Sequence, residues 1–227
     1  MNLTEHHTKQ ELEESLCKEI ELKLKKAIHE SGNAKLLVSG GSTPKVLFNK
    51  LSKLDLPWEK VTIGLVDDRF VESTHAASNE RFLNENLLIN NAATAKLICL
   101  VYKPESMPEN LITANRMYHH FHSGIDITIL GMGKDGHTAS LFPTDPSSLK
   151  GLAKYYHGLV LYTRADVEPY QRISCSRSLL HKSSNLYLMI TGKEKLEVLK
   201  SAKEKHLPIS AFFETQNTPL NVHYSAN

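Results

Sequence analysis

The chain has 227 residues, with 27 Lys and Arg against 25 Asp and Glu (formal net charge +2), and is 41% hydrophobic and 23% charged. That balance fits a folded globular protein. It excludes disordered and collagen-like classes, and no apolar run approaches the roughly 18 residues a membrane helix needs. Near-neutral charge gives no basis for a nucleic-acid or membrane partner, and the three Cys (17, 99 and 175), odd in number and never in a CxxC pair, read as reduced thiols. The polar start MNLTEHHTKQ has no apolar core for a secretory signal, so the cytoplasm is the expected location.

Leu12, Leu16, Ile20, Leu24 and Ile28 recur every four residues, predicting one surface helix that Ser31-Gly32-Asn33 ends. Leu36-Leu37-Val38 predicts a short buried strand stopping at Ser39-Gly40-Gly41-Ser42-Thr43-Pro44. A helix with Pro44 in its first turn and Val46, Leu47 and Leu51 on it follows. Val61–Val66 is the second strand and runs into Asp67-Asp68-Arg69. Ser78 is placed to cap a helix carrying Phe82, Leu83, Leu87 and Leu88. Leu97–Val101 is a third strand, Leu111–Phe121 is helical, and Ile125–Leu130 is a fourth strand entering Gly131-Met132-Gly133-Lys134-Asp135-Gly136-His137. Beyond it, Tyr156–Tyr162, Ile173–Ser178 and Leu186–Ile190 read as strands and Lys193–Ala202 as a helix.

Strands alternating with helices predict an α/β fold with a mostly parallel sheet covered by helices on both faces. With no repeat, linker or low-complexity tract, residues 1–227 are taken as a single domain. About 30 residues, forming one helix, are expected ahead of the first strand. Ligands of such sheets sit outside the carboxyl ends of the strands, and three polar motifs (39–44, 67–69 and 131–137) each follow a strand, so they are expected to meet at one edge.

Each motif has two readings. The Ser39–Pro44 turn, with Gly for close backbone approach and hydroxyls beside a helix start, suits a phosphate or is merely a capped turn. Arg69 either binds an anion through its planar guanidinium or is held by its own acids in a local ion pair. In the third motif Asp135 lies two residues before His137. It either orients an imidazole for general-base work or only caps a helix. His6-His7 falls in an expected frayed terminus. His119 and His122 can share a helix face, but no HExxH or Cys pattern accompanies them, so no metal is expected.

From about Leu36 to the C-terminus the sequence resembles the 6-phosphogluconolactonase family. The resemblance is carried by GMGKDGHTASLFP (131–143), SGGSTP (39–44), VDDRFV (66–71), His75-Ala76-Ala77-Ser78-Asn79, and Gly192-Lys193-Glu194-Lys195 opening a helix. Two departures stand out: Asp68 where the family usually has Glu, and a Pro-poor stretch before Arg172 with Ser174 where Thr is common. The resemblance implies the fold shared by glucosamine-6-phosphate deaminases and ribose-5-phosphate isomerases. It also implies hydrolysis of 6-phospho-D-glucono-1,5-lactone in the oxidative pentose phosphate pathway. It assigns His137 as general base and Asp135 as its orienter. Backbone N–H groups at Gly41 or Gly133 would serve as oxyanion donors. Asp67, Arg69, Ser42, Thr43 and Lys195 would bind substrate or its phosphate, with Arg172 as a further candidate. A small sugar-phosphate lactone is the expected partner of a monomer or weak dimer. A deaminase would continue past the Asp-Gly-His into an Ile-Ala-Phe-Asn-Glu-Pro run, whereas here Thr-Ala-Ser-Leu-Phe-Pro follows, with no acid before Asp145. A non-catalytic sugar-phosphate sensor would need a DNA-binding head for which the N-terminal helix alone is too short.

Overall fold

In a computed structural model, which describes residues 1–213 and 218–226, the chain runs through ten strands and seven α-helices among the described residues. The order is β1 (Asn2–His6), α1 (Lys9–Ser31), β2 (Ala34–Val38), α2 (Lys45–Leu51), β3 (Val61–Leu65), β4 (Asp67–Arg69), α3 (Asn79–Asn86), β5 (Lys96–Ile98) and α4 (Met107–Tyr118). It continues through β6 (Ile125–Leu130), α5 (Pro146–Leu152), β7 (Val160–Arg164), β8 (Gln171–Cys175), α6 (Arg177–Leu180), β9 (Ser183–Thr191), α7 (Lys193–Ser201) and β10 (Leu220–Ser225).

Seven strands form one sheet in the order β1-β10-β9-β6-β2-β3-β5, every pair of them parallel. The chain moves outward from β2 to β3 and β5, then jumps to the other side of β2 for β6, β9 and β10. The reversal leaves a crevice at the carboxyl ends of β2 and β6, which is where open α/β sheets bind ligands. A separate three-stranded sheet, β4-β8-β7, is antiparallel.

Helix α1 shows why the apolar stripe folds as it does. Leu12, Leu16, Ile20 and Leu24 are fully buried, each burial stabilising by about 1.5–3 kcal/mol. Thr8 Oγ1 accepts from Glu11 N at 3.1 Å, while Glu11 returns a carboxylate oxygen to His7 N at 3.0 Å. Gly32, left-handed at φ +79°, ends the helix by donating to Ile28 O. Ser78 caps α3 as predicted, its Oγ accepting from Arg81 N.

Several boundaries differ from the sequence reading. A strand precedes α1, so His6 is not frayed: β1 pairs with β10 and His6 Nε2 lies 3.1 Å from His223 Nδ1. Asp67–Arg69, expected only as the end of the second strand, is itself a strand of the second sheet. The run expected over Ile173–Ser178 is strand only to Cys175, because Ser176 Oγ accepts from Leu179 N and starts α6. Strand β7 lies later than expected, at Val160–Arg164, and β5 is shorter than Leu97–Val101.

Candidate active site

The ends of β2, β3, β6 and β9 deliver the three motifs and the start of α7 to one cavity of about 280 Å³. Ser39–Pro44, Asp67, Arg69, Asn79, Gly131–Gly133, His137 and Lys195 all contribute to its wall. Ser39 ties two of the strand ends together: its N–H donates to Ile129 O at 2.9 Å, and its Oγ accepts from Gly131 N at 3.1 Å. The predicted convergence is therefore present.

In the third motif the turn folds the acid back onto the base. Gly133 N donates to His137 O at 2.9 Å and Gly136 N to Gly133 O at 3.1 Å, and Gly136 takes φ +78°. His137 Nδ1 then meets Asp135 Oδ1 at 2.6 Å, and the same oxygen accepts from His137 N at 3.2 Å. An ionised carboxylate accepts only, so Nδ1 carries the proton and Nε2 is the basic nitrogen. Burial pulls the Asp135 carboxyl up, but the hydrogen bonds and charge of His137 outweigh it and hold the acid below its usual range. A Cβ on Gly133 would lie 2.3 Å from the His137 ring, so only glycine admits this pair. Phe142 packs against the imidazole with ring centroids 4.8 Å apart.

The second motif is arranged differently. Asp67 and Arg69, two apart on a strand, both line the cavity, and Asp68 does not. Asp68 is buried and accepts from Arg69 N (2.7 Å), Asn79 N (2.7 Å) and Glu80 N (3.0 Å), so it holds the first turn of α3. Burial pushes its pKa up to about 7, with Asp67 adding to the rise and the three N–H donors opposing it. The Asp67 carboxylate accepts from Ser140 Oγ at 2.5 Å. Arg69 forms no ion pair among the described residues. Its Nη1 donates to Ala77 O at 2.8 Å and to Asn79 Oδ1 at 3.1 Å. The local ion pair that the sequence left open is absent, which leaves a cation facing the cavity.

Gly41 (φ +97°), Ser42 and Thr43 also line the cavity, and Lys195 stands at the start of α7. Burial, then the nearby Lys134, lower the Lys195 pKa, with Glu194 opposing them; Glu194 itself pairs with Lys134 at 2.7 Å. Two expectations need correction. Gly133 N is already bonded to His137 O and is not a free oxyanion donor. Arg172, opposite Arg69 in the β4–β8 register, is buried outside the cavity wall; Nη2 reaches Val167 O at 3.5 Å and Nε has no partner. The sequence reading assigns no site role to Asn79 or Ser140, and it gives Ser39 a place in the turn but not its tie to Gly131. The segment 75–79 carries part of the family resemblance but no site role for Asn79, and the bond from Ser140 to Asp67 spans 73 residues.

His119 and His122 do share a face, stacked with centroids 5.2 Å apart. Among the described residues no group of three or more His, Cys, Asp or Glu is arranged to hold a metal ion, and no helix is long and apolar enough to cross a membrane.

Comparison with known proteins gives a consistent picture. The family model for glucosamine-6-phosphate isomerases/6-phosphogluconolactonase matches residues 7–220. The chain is 35% identical to the 6-phosphogluconolactonase of Pseudomonas aeruginosa, covering 92% of this chain and 88% of that one. It is also 35% identical to that of Rhizobium meliloti, covering 94% of each. The crystal structure of a 6-phosphogluconolactonase from Shewanella baltica superposes with a TM-score of 0.94 at 35% identity, covering 100% of this chain and 98% of that one. A monomeric glucosamine-6-phosphate deaminase shares the fold, with a TM-score of 0.78 at 18% identity, covering 99% of this chain and 97% of that one.

Proposed function

The chain belongs to the glucosamine-6-phosphate isomerase/6-phosphogluconolactonase family, and from that membership we propose that it is a 6-phosphogluconolactonase, hydrolysing 6-phospho-D-glucono-1,5-lactone to 6-phospho-D-gluconate with His137 as general base. The observation that carries the mechanism is the 2.6 Å contact between Asp135 and His137 on the wall of the cavity that Arg69 and the Ser39–Pro44 turn also line.

His137 Nε2 takes a proton from water as the water oxygen bonds to the lactone carbonyl carbon. Asp135 holds the ring in the tautomer that makes Nε2 basic and stabilises the imidazolium that forms. The carbonyl oxygen gathers negative charge, for which the Gly41 N–H is the candidate donor, an interaction worth about 3–4 kcal/mol where it is preorganised. Collapse of the tetrahedral intermediate breaks the bond to the ring oxygen, which receives the proton from His137 and leaves as the 5-hydroxyl. The resulting acid then ionises to 6-phosphogluconate. Arg69, Lys195, Ser42 and Thr43 grip the phosphate and so fix the ring against His137, and Asp67 is available to a sugar hydroxyl. This route uses neither metal nor cofactor. The same reading takes residues 1–227 as one domain, working as a monomer or weak dimer in the cytoplasm without nucleic-acid or membrane partners.

The test is a coupled assay: glucose-6-phosphate dehydrogenase generates the lactone, 6-phosphogluconate dehydrogenase reads the product, and spontaneous hydrolysis is subtracted. The wild type accelerates the step, and His137→Ala lowers kcat by about 10² or more. A His137→Ala enzyme with near wild-type kcat overturns the assignment of the base.

A further inference from the structure

Two acids precede Arg69 in sequence, and both are kept off it. Asp67 is taken by the Ser140 hydroxyl and Asp68 by three backbone N–H groups at the start of α3. What the guanidinium receives instead is neutral: the carbonyl of Ala77 and the amide oxygen of Asn79, both on Nη1. Nε and Nη2 have no acceptor among the described residues, and the side chain lines the cavity. A carboxylate at 79 would have the same shape and the same reach, but it would discharge the cation.

Asn79 is itself fixed on all sides. Its Nδ2 donates to Asp67 O at 2.9 Å, its N–H to Asp68 Oδ1 at 2.7 Å, and only 3% of the residue is exposed. It also packs so closely on the Ser39–Pro44 turn that a Cβ on Gly40 would sit 2.1 Å from Asn79 Oδ1. One amide therefore joins the turn, the strand and the guanidinium.

We propose that Asn79 is a positioning residue that aims Arg69 into the cavity through a neutral acceptor, leaving its charge whole for the anionic end of the substrate. The proposal rests on the reading that Arg69 grips the phosphate. Burial of the amide makes the aim rigid, and its neutrality keeps the charge available; Asn79→Asp removes the neutrality together with the Nδ2 bond to Asp67 O, whereas Asn79→Ala removes the aim without adding a charge.

The experiment measures KM and kcat for 6-phosphogluconolactone and for unphosphorylated gluconolactone. It compares Asn79→Asp, Asn79→Ala, Arg69→Ala and the Arg69→Ala/Asn79→Ala double variant, with thermal unfolding of each. Asn79→Asp is expected to raise KM for the phosphorylated lactone about tenfold, the size of one lost charge-assisted bond, with the effect confined to KM. Asn79→Ala, which loosens the cation without discharging it, is expected to raise KM less, about threefold. Neither is expected to weaken use of the unphosphorylated lactone in step. The double variant should be no worse than Arg69→Ala, because a positioning residue has nothing left to position. A merely structural Asn79 would instead lower both substrates together and follow the loss of thermal stability. That outcome, additive losses in the double variant, or an Asn79→Asp enzyme with wild-type KM overturns the proposal. If Arg69→Ala raises KM and the Asn79 variants do not, the proposal alone falls. If Arg69→Ala leaves KM unchanged, the phosphate reading falls and takes this one with it.

Discussion

Asp135-Gly136-His137 and Asp67-Asp68-Arg69 are both short acid-and-base segments at the carboxyl edge of the sheet, yet one joins its charges and the other separates them. In the first, a left-handed Gly136 turns the chain so that residues two apart face each other, and the carboxylate closes on the imidazole at 2.6 Å. In the second, the segment is a strand, and donors from distant elements occupy each acid before Arg69 can. The difference suits the roles proposed for the two segments. A general base needs an acceptor on its far nitrogen to fix the tautomer, whereas an anion-binding cation loses its purpose when paired. Neighbouring opposite charges in a sequence therefore say little until the backbone conformation and the competing donors are known.

The joined pair breaks most sharply at its acid. Asp135→Asn keeps the shape but offers His137 an amide in place of a charge, so kcat is expected to fall by about tenfold to a hundredfold with KM little changed. Pre-steady-state or coupled kinetics on the variant checks this, and a fall confined to KM would mean that Asp135 binds substrate instead. Gly133→Ala attacks the same pair by crowding, since the new methyl would lie 2.3 Å from the imidazole. Gly133 φ is not in the left-handed range, so backbone strain does not confuse the result. A drop of about tenfold or more in kcat is expected, from a base displaced by about an ångström.

The separated motif is broken more gently. Ser140→Ala releases the Asp67 carboxylate, which shares a strand face with Arg69. The acid is then free to pair with the cation, and KM for the phosphorylated lactone is expected to rise about threefold while kcat holds. Unchanged KM would show that the strand geometry alone keeps the two apart.

Much of this edge was legible in the sequence. The α1 stripe, the β2, β3 and β6 runs and the convergence of three strand-following motifs needed only periodicity and the rule for parallel sheets. What escaped has identifiable causes. Strand β1 is almost wholly exposed and has one apolar residue, Leu3, so no burial pattern marks it. Strand β10 does alternate (Leu220, Val222 and Tyr224) and could have been found. Three residues of β4 are too few to show a period, although alternation would have put Asp67 and Arg69 on one face and Asp68 on the other. The diversion of both acids depends on Ser140 and on the N–H groups of α3, and no local pattern reports contacts at such separations.

A third arrangement completes the contrast, because His223 sits beside another base. It is buried in β10, its ring stacked on His6 of β1 with centroids 5.3 Å apart, and its other nitrogen is 3.6 Å from Glu19. Burial, then the charge of His6, push its pKa down to about 4. The sign follows from proton counting. Between the unfolded value of 6.5 and the folded value of about 4, the unfolded chain binds more protons at this site. Stability contributed by His223 is therefore whole above pH 6.5 and is lost as the pH falls toward 4. Thermal unfolding followed from pH 7 to pH 4.5 should show Tm falling, and His223→Gln, which does not titrate, should flatten that fall by several degrees. A slope that His223→Gln leaves unchanged would mean that other groups carry the acid sensitivity of the fold.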